Sequence, residues 1–461
     1  MSELKKKKKK VKDFETPYSV SNMLKDKGTS VTKLSMLVMG LANIMNGQIL
    51  KGLMFLAMEI GFIAFMIRKG FGFLGDLIAL GGTPKEKIWN EAKGIFEYTD
   101  GDNTVLMLLY GVLTVGLIAL FVFMWRTSVC SGFKAYSLRV RGKHLNNFIE
   151  DIKSLFNENL HKLLLTLPVS GIVVFTILPL IYMITMAFTS YSTVDEHLLI
   201  FDWVGLDNFK KIFDISGSIG KEFWSVLGWT LVWAVLATGL NYILGMILAI
   251  VINRKDTKIK GFWRFCFILS AAIPQFVSLL IMRSMLQQNG AINVMLQNWG
   301  LIDSPLPFLT DATWARATVV IINLWVGIPF TLLQVTGILQ NIPAELYEAA
   351  KVDGANAFIT FFKITLPYML FVTTPYLITT FTGNVNNFNV IFLLSGGAPT
   401  LVGSTAGKTD LLVTWLYKLT VDKQYFNLGA VIGIMTFVVL AIVSLLTYRN
   451  TGSYKNEEGF M

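Results

Sequence analysis

The sequence predicts an all-α polytopic membrane protein of about eight transmembrane helices. Three observations predict it. Of 461 residues, 53% are hydrophobic and 15% charged, with a mean hydropathy of +0.57, which leaves too few charges to cover a soluble surface. Eight apolar stretches are each roughly 18 residues or longer, the length that a ~30 Å hydrocarbon core requires. Lys and Arg are shared unequally between the loops.

The stretches run roughly 50–67, 104–125, 163–189, 224–252, 263–288, 315–340, 366–385 and 427–448. Residues 34–45 are apolar but short, and read as an interfacial or buried helix. The chain then divides into a basic N-terminal segment (1–49), two peripheral spans with the loop after them (50–162), a core of six spans (163–448) and a tail (449–461). With the N-terminus placed inside, the inside segments hold 26 of the 40 Lys and Arg, and the outside loops 11. Both termini are therefore predicted cytoplasmic. Arg254, Lys255, Lys258, Lys260 and Arg264 crowd one short inside turn. The lysine run at 5–10 reads as a solvated arm near anionic lipid, and no nucleic-acid partner is expected. It has no adjoining apolar stretch of the kind a cleavable signal peptide carries.

Cys130 and Cys266 lie far apart, and His144, His161 and His197 lack partners at ligand spacing. No disulfide, metal centre or catalytic residue is predicted. Glu59 is the one acidic residue inside the predicted spans, and is read as paired with another helix rather than as a proton relay. "GSTAGKTD" (403–410) ends like a phosphate-binding loop, but Gly403 stands one residue too close to Gly407 and Lys408 for that motif. The loop also falls on the outside, away from ATP. An ordered loop reaching toward an external ligand or partner is the expectation.

The inside loop 341–367 reads "NIPAELYEAAKVDGANAFITFFKITLP". Pro343 and Glu345 suit a first helical turn. Asp353 and Gly354 break the helix, and a second helix follows until Pro367 begins the next span. The result is an amphipathic elbow, with Leu346, Phe358, Phe361, Phe362 and Ile364 offering apolar contacts.

Glu348-Ala349-Ala350, Asp353-Gly354-Ala355, then Ile364, Leu366 and Pro367 resemble the EAA motif of ABC-importer permeases. "IINLWVGIPF" (321–330), "FTGNVNNFNVIFLLSGGAP" (381–399) and "TDLLVTWLYKL" (409–419) resemble the maltose/maltodextrin permease subunit of the MalF type. Matching segments cover most of 200–448. The resemblance implies a type I ABC-importer permease fold in a bacterial cell membrane. It implies that Glu348 makes the polar contact to a separate ATPase, that Ala349, Ala350 and Ala355 allow close packing, and that Asp353 and Gly354 make the turn. It further implies a homologous second permease, two ATPase copies that bind the ATP and Mg, an extracellular sugar-binding protein, and no cofactor on this chain.

By the same resemblance, Gln275, Asn323, Val326, Gly327, Gly383, Asn384 and Asn387 line an oligosaccharide pocket midway across the membrane. Asn and Gln suit sugar hydroxyls because one side chain both donates and accepts, and Gly327 would let a pyranose approach the backbone. Asn386 reads as a helix–helix contact instead. Gly383 and Ala271 stand where the family has aromatic rings, and the loop at 190–223 lacks the large insertion of the proteobacterial relative. Maltodextrin is the expected substrate. Another oligosaccharide, of raffinose or lactose type, is the alternative within the family, and an ion-coupled secondary sugar transporter the alternative outside it.

Overall fold

The computed structural model describes residues 18–24, 29–84, 87–91, 93–98, 101–193, 200–254 and 256–450. The lysine run at 5–10, Lys255, His197, the Ala271 side chain and the tail from 451 lie outside the described residues. The chain forms two compact units. One comprises residues 1–185 with 196–203, the other 186–195 with 204–461.

The first unit holds α1 (Val20–Asn22), α2 (Ser30–Leu34), α3 (Leu41–Met45), α4 (Ile49–Phe65), α5 (Phe71–Ala79), the strands β1 (Lys87–Asn90) and β2 (Ile95–Tyr98), α6 (Thr104–Val140), α7 (Phe148–Phe156), α8 (Leu160–Ile172) and α9 (Leu178–Met186). Three of its helical runs are long and apolar enough to cross a membrane: Ile49–Ala79, Thr104–Val140 and Leu160–Met186. The first is longer than the predicted 50–67. A π-helical turn at Met66–Gly70 carries the helix past Arg68 and Lys69, which the sequence predicts to lie in a loop. The stretch at 34–45 runs from the end of α2 through a turn into the short helix α3, and Met39, Ala42 and Asn43 are buried. Gly132 of α6 admits this segment, since a Cβ there would stand 2.7 Å from that of Ala42. Glu59 does have a partner outside its own helix, but it is a backbone amide. The Met39 N–H donates to its Oε2 at 2.8 Å.

Between the first two spans the protein forms a small antiparallel hairpin, β1 with β2, pairing Lys87 with Tyr98 and Asn90 with Ile95. The sequence predicts only a loop here. Trp89 packs edge-on against Phe96 across the strands, the pair contact that stabilises such ribbons. Below it, Asp102 accepts hydrogen bonds from the backbone N–H of Thr83 and Gly82, both at 3.0 Å. These bonds hold its carboxyl below the usual range.

The second unit holds α10 (Asp207–Phe213), α11 (Ser218–Asn253), α12 (Lys260–Ala272), α13 (Gln275–Met285), α14 (Ala291–Asn298), α15 (Ala312–Leu339), α16 (Ala344–Val352), α17 (Ala357–Thr360), α18 (Leu366–Val385), α19 (Phe388–Leu394), α20 (Leu412–Tyr417) and α21 (Phe426–Asn450). Among the described residues of the whole chain, seven helical runs pass as membrane spans, or eight if α12 and α13 count as one. The predicted span 263–288 is in fact this broken pair, bent by 77°. Pro274 explains the break. It lacks an N–H and pushes the preceding residue out of the helical region, and Ile273 is extended, at φ −78° and ψ 126°. The first unit runs to residue 185 and so includes most of the third span. The third span is tied to the first unit, where Tyr182 donates to the Val105 carbonyl at 3.3 Å.

Helix α11 is central, packing along both α15 and α18. Two apolar clusters lie along it. One, toward its N-terminal half, includes Trp229, Trp233, Leu279, Val319 and Val385. The other, toward its C-terminal half, includes Tyr242, Met246, Leu332, Val335 and Met369. The α11–α15 seam is close because Gly245 has no side chain. A Cβ there would meet Thr331 Cβ and Cγ2 at 2.7 Å. In a membrane, such small-residue contacts replace the hydrophobic effect as the source of helix association.

Gly245→Ala should therefore destabilise the protein in detergent by about 1–3 kcal/mol. Gly239→Ala, where a Cβ meets nothing within 4 Å, should be neutral or stabilising by up to about 1 kcal/mol. Thermal unfolding of the two variants side by side checks this, and equal midpoints would remove the seam's packing role.

Candidate functional site

Polar residues lie among and between the two apolar clusters and form a polar layer along the α11, α15 and α18 contacts. From α11 it takes Thr238 and Asn241, from α15 Asn323, Gly327 and Thr331, and from α18 Thr373 and Asn384. Asn323 stands 11 residues into α15, roughly 17 Å along its axis at ~1.5 Å per residue. That is close to the middle of a bilayer. Polar side chains at such depth are costly unless partnered, and mark pathways through a membrane protein.

Most of the layer is partnered. Tyr242 and Thr373 share a hydroxyl–hydroxyl bond of 2.7 Å. The Thr331 hydroxyl donates to the Gly327 carbonyl at 3.2 Å. Asn384 Nδ2 donates to Thr238 Oγ1 at 2.9 Å, and the Asn384 carbonyl accepts from Trp233 Nε1 at 3.0 Å. Two amide atoms are not partnered. Asn323 Nδ2 and Asn241 Oδ1 are both buried without a hydrogen bond. One is a donor and the other an acceptor, the pair of functions that a sugar hydroxyl satisfies at once.

The seven residues singled out from the sequence fare differently. Asn323, Val326 and Gly327 share adjoining turns of α15, with Asn323 buried and Val326 packed against the upper cluster. The place of a Cβ on Gly327 is already filled by the Asn241 amide. In this conformation Gly327 therefore accommodates a neighbouring helix and not a pyranose, because α11 lies too near. Asn384 is buried and spends its amide on Thr238, a helix–helix bond. Gly383, beside it, is exposed, and a Cβ there would meet nothing within 4 Å. Asn387 caps α19, accepting from the Val390 N–H at 3.2 Å. Gln275 opens α13 directly after the Pro274 break and is half-buried. Among the described residues no side-chain hydrogen bond joins any two of the seven. Asn241 and Thr238 were missed. Their signal is an amide inside the apolar run "ATGLNYILG" (237–245).

The elbow begins where α15 ends. Pro343 precedes α16 rather than opening it, and Glu345 lies in the first turn. Gly354 terminates α16 in the left-handed region, at φ +74°. The Ala355 N–H reaches back to the Ala350 carbonyl at 2.9 Å, the closing bond of a glycine-terminated helix. Asn356 then caps α17, accepting from the Ile359 N–H at 2.8 Å. Glu348, Ala349, Asp353 and Gly354 are exposed, and Ala355 is half-buried. Ala350 is buried, so its small side chain serves packing within this chain. Around the exposed polar residues stand Leu346, Val352, Phe358 and Phe362, all more than a third exposed. Tyr347 and Thr365 join the two arms through their hydroxyls at 3.1 Å.

Pro367 does not begin the next span. α17 runs on through a π-helical turn at Phe361–Thr365 into α18, giving one apolar run from Ala357 to Leu394. The π turn absorbs the missing Pro367 N–H by widening the helix just before it.

The "GSTAGKTD" loop has no nucleotide geometry. Lys408 is followed by three residues before α20 begins. The amides that a phosphate would need are held by carboxylates: Gly407 N–H by Asp410 at 2.6 Å and Thr405 N–H by Glu222 at 2.9 Å. Among the described residues no group of three His, Cys, Asp or Glu side chains is placed to hold a metal.

Residues 241–451 match the family described as binding-protein-dependent transport system inner membrane component. The galactooligosaccharides transport system permease protein GanP of Bacillus subtilis is 35% identical over 433 residues, covering 93% of this chain and 99% of that protein. The maltodextrin transport system permease protein MdxF of the same organism is 34% identical, covering 92% and 95%. Among solved structures, a bacterial ABC transporter involved in import of the acidic polysaccharide alginate has a chain of the same fold. It has a TM-score of 0.54 and 23% identity, covering 64% of this chain and 96% of that one. With the broken span, the mid-helix polar layer and the elbow in place, the chain belongs to the inner membrane components of binding-protein-dependent transport systems, the multi-pass permease subunits of ABC importers.

Proposed function

We propose that this chain forms half of the translocation pathway of an ATP-driven importer of maltodextrin-type oligosaccharides, with the polar layer as the point where the sugar is held. The observation that carries this reading is the pair of buried, unpartnered amide atoms on Asn323 and Asn241. A sugar crossing between helices supplies the hydroxyls they lack. In the conformation described, Asn241 occupies the space at Gly327. Admitting a pyranose therefore requires α11 and α15 to separate there.

The elbow is the coupling element. Its exposed Glu348, Ala349, Asp353 and Gly354, bordered by Val352 and Phe358, present a mixed polar and apolar surface to a cytoplasmic ATPase. That partner, in two copies, supplies the ATP and Mg chemistry. Both termini face the cytoplasm in this reading. A second permease completes the pathway, and an external sugar-binding protein delivers the substrate. Because the run from Ala357 to Leu394 is unbroken through the elbow's second arm, a displacement of the elbow reaches Asn384. The intervening 27 residues span about 40 Å at ~1.5 Å per residue.

One observation favours a second substrate class. GanP, named for galactooligosaccharides transport, matches this chain over as much length as MdxF does. The open position at Gly383 leaves room for a branched or differently linked sugar.

In proteoliposomes holding the complete transporter, radiolabelled maltotetraose and galactotriose should both be offered. ATP-dependent uptake of one of them should fall at least tenfold on Glu348→Ala. Uptake driven by a proton gradient without ATP would end the importer reading. Asn323→Ala should cost under about 1 kcal/mol of stability, because its amide N–H has no partner to lose, yet reduce uptake about tenfold or more. Asn384→Ala should cost about 0.6–1.7 kcal/mol by severing the bond to Thr238. A stability loss in Asn323→Ala as large as that in Asn384→Ala would argue that both are structural.

A further inference from the structure

The first turns of α11, the second turn of α15 and the loop at 401–410 enclose a cavity of about 560 Å³. It lies at the opposite end of α15 from the elbow. Arg316, on its wall, is 24 residues from Gln340, where the helix stops, roughly 36 Å at ~1.5 Å per residue.

The loop that walls the cavity is pinned on every side. The Thr405 N–H and hydroxyl both donate to Glu222, and Trp415 Nε1 donates to Thr405 Oγ1 at 2.9 Å. Asp410 pairs with Lys418 at 2.6 Å and accepts from the Gly407 N–H. Arg316 Nε donates to the Lys408 carbonyl at 2.9 Å, and its guanidinium lies over Trp229, 4.6 Å from the ring centre.

These contacts use up one sign of charge. Both carboxylates lining the cavity, Glu222 and Asp410, are engaged by the loop and by Lys418. Three cations line it too, Lys221, Arg316 and Lys408. Among the described residues none of the three has a carboxylate within ion-pair distance. α11 also opens on the cavity through Ser218, adding the positive end of its dipole. The walls therefore offer donors and positive charge in a fixed geometry. A neutral sugar would want acceptors and a free aromatic face, but Glu222 and Asp410 are occupied and Arg316 covers the ring of Trp229. A carboxylate fits.

The rim says what carries it. Leu401 is 59% exposed and Val402 fully exposed at the loop tip. An apolar tip beside a cationic pocket is the composition of a protein interface, with an apolar contact and a charged anchor side by side. We propose that this cavity receives an Asp or Glu side chain of the external sugar-binding protein and so fixes where that protein docks. The proposal rests on the importer reading given above.

The complete transporter in nanodiscs, titrated with its sugar-binding protein, tests it. Lys408→Glu combined with Lys221→Glu should weaken binding at least tenfold at about 50 mM salt. Raising salt to about 300 mM should weaken the wild type strongly and the variant little. The thermal midpoint should not move, since the loop is held through the backbone of residue 408 and not its side chain. Lys408→Arg should restore binding. Unchanged affinity in the double variant, with wild type binding normally, overturns the proposal alone. Trigalacturonate binding that is lost in Lys408→Glu, with docking unaltered, also overturns it and gives the cavity to an acidic sugar. A wild type that binds no sugar-binding protein removes the importer reading, and this proposal with it.

Discussion

How closely α11 can lie against α15 is set by two absent side chains. At Gly245 the space goes to Thr331, and at Gly327 to the amide of Asn241. Lipid supplies no hydrophobic reward for bringing two apolar helices together, so contact distance itself becomes the source of association. The rest of the second unit is arranged on this seam. The two apolar clusters share α11 as their common wall, and α18 comes near enough for Trp233 and Thr238 to bind Asn384. The same closeness leaves Asn323 and Asn241 buried with a hydrogen-bonding atom each to spare.

Much of this was legible in the sequence, for reasons that can be named. Seven of the eight spans stand as helices because a long apolar run has only one way to satisfy its backbone inside a membrane. The elbow was legible because Gly354 takes positive φ without steric cost, which ends a helix and turns the chain. The break in the fifth span was readable in principle from Pro274, but the mostly apolar residues on either side masked it. Extended helices such as Ile49–Ala79 and Ala357–Leu394 were cut short because Arg68, Lys69 and Pro367 look like boundaries. Each is accommodated by or beside a π-helical turn, which hydropathy does not register.

The candidate site was less legible. Residue type and position along a helix identify which amides are deep, and Asn323 and Asn384 were found that way. Which of them is spent on a neighbour depends on the direction each side chain takes across the seam. Asn384 turns to Thr238, Asn387 to its own helix start and Asn323 to no partner for its amide N–H. Asn241 escaped because it belongs to a helix that resemblance did not implicate. Only the backbone approach at Gly327 places it in the layer. The hydrogen bonds that hold the loop at 401–410 are equally invisible from sequence, since Glu222 and Thr405 are 183 residues apart.

The π-helical turn at Phe361–Thr365 has a consequence for how this chain can change over time. In a helix each residue advances the facing direction by about 100°, so one inserted or deleted residue between the elbow and Asn384 would swing that amide to another side of its helix. The span would still be apolar and long enough to cross, yet the side-chain amide would no longer meet Thr238. Between residues 361 and 384 the chain therefore tolerates substitution far more readily than a change in length. The distance from the elbow to the polar layer is stored as a phase, counted in residues, and only paired changes of whole helical turns would preserve it.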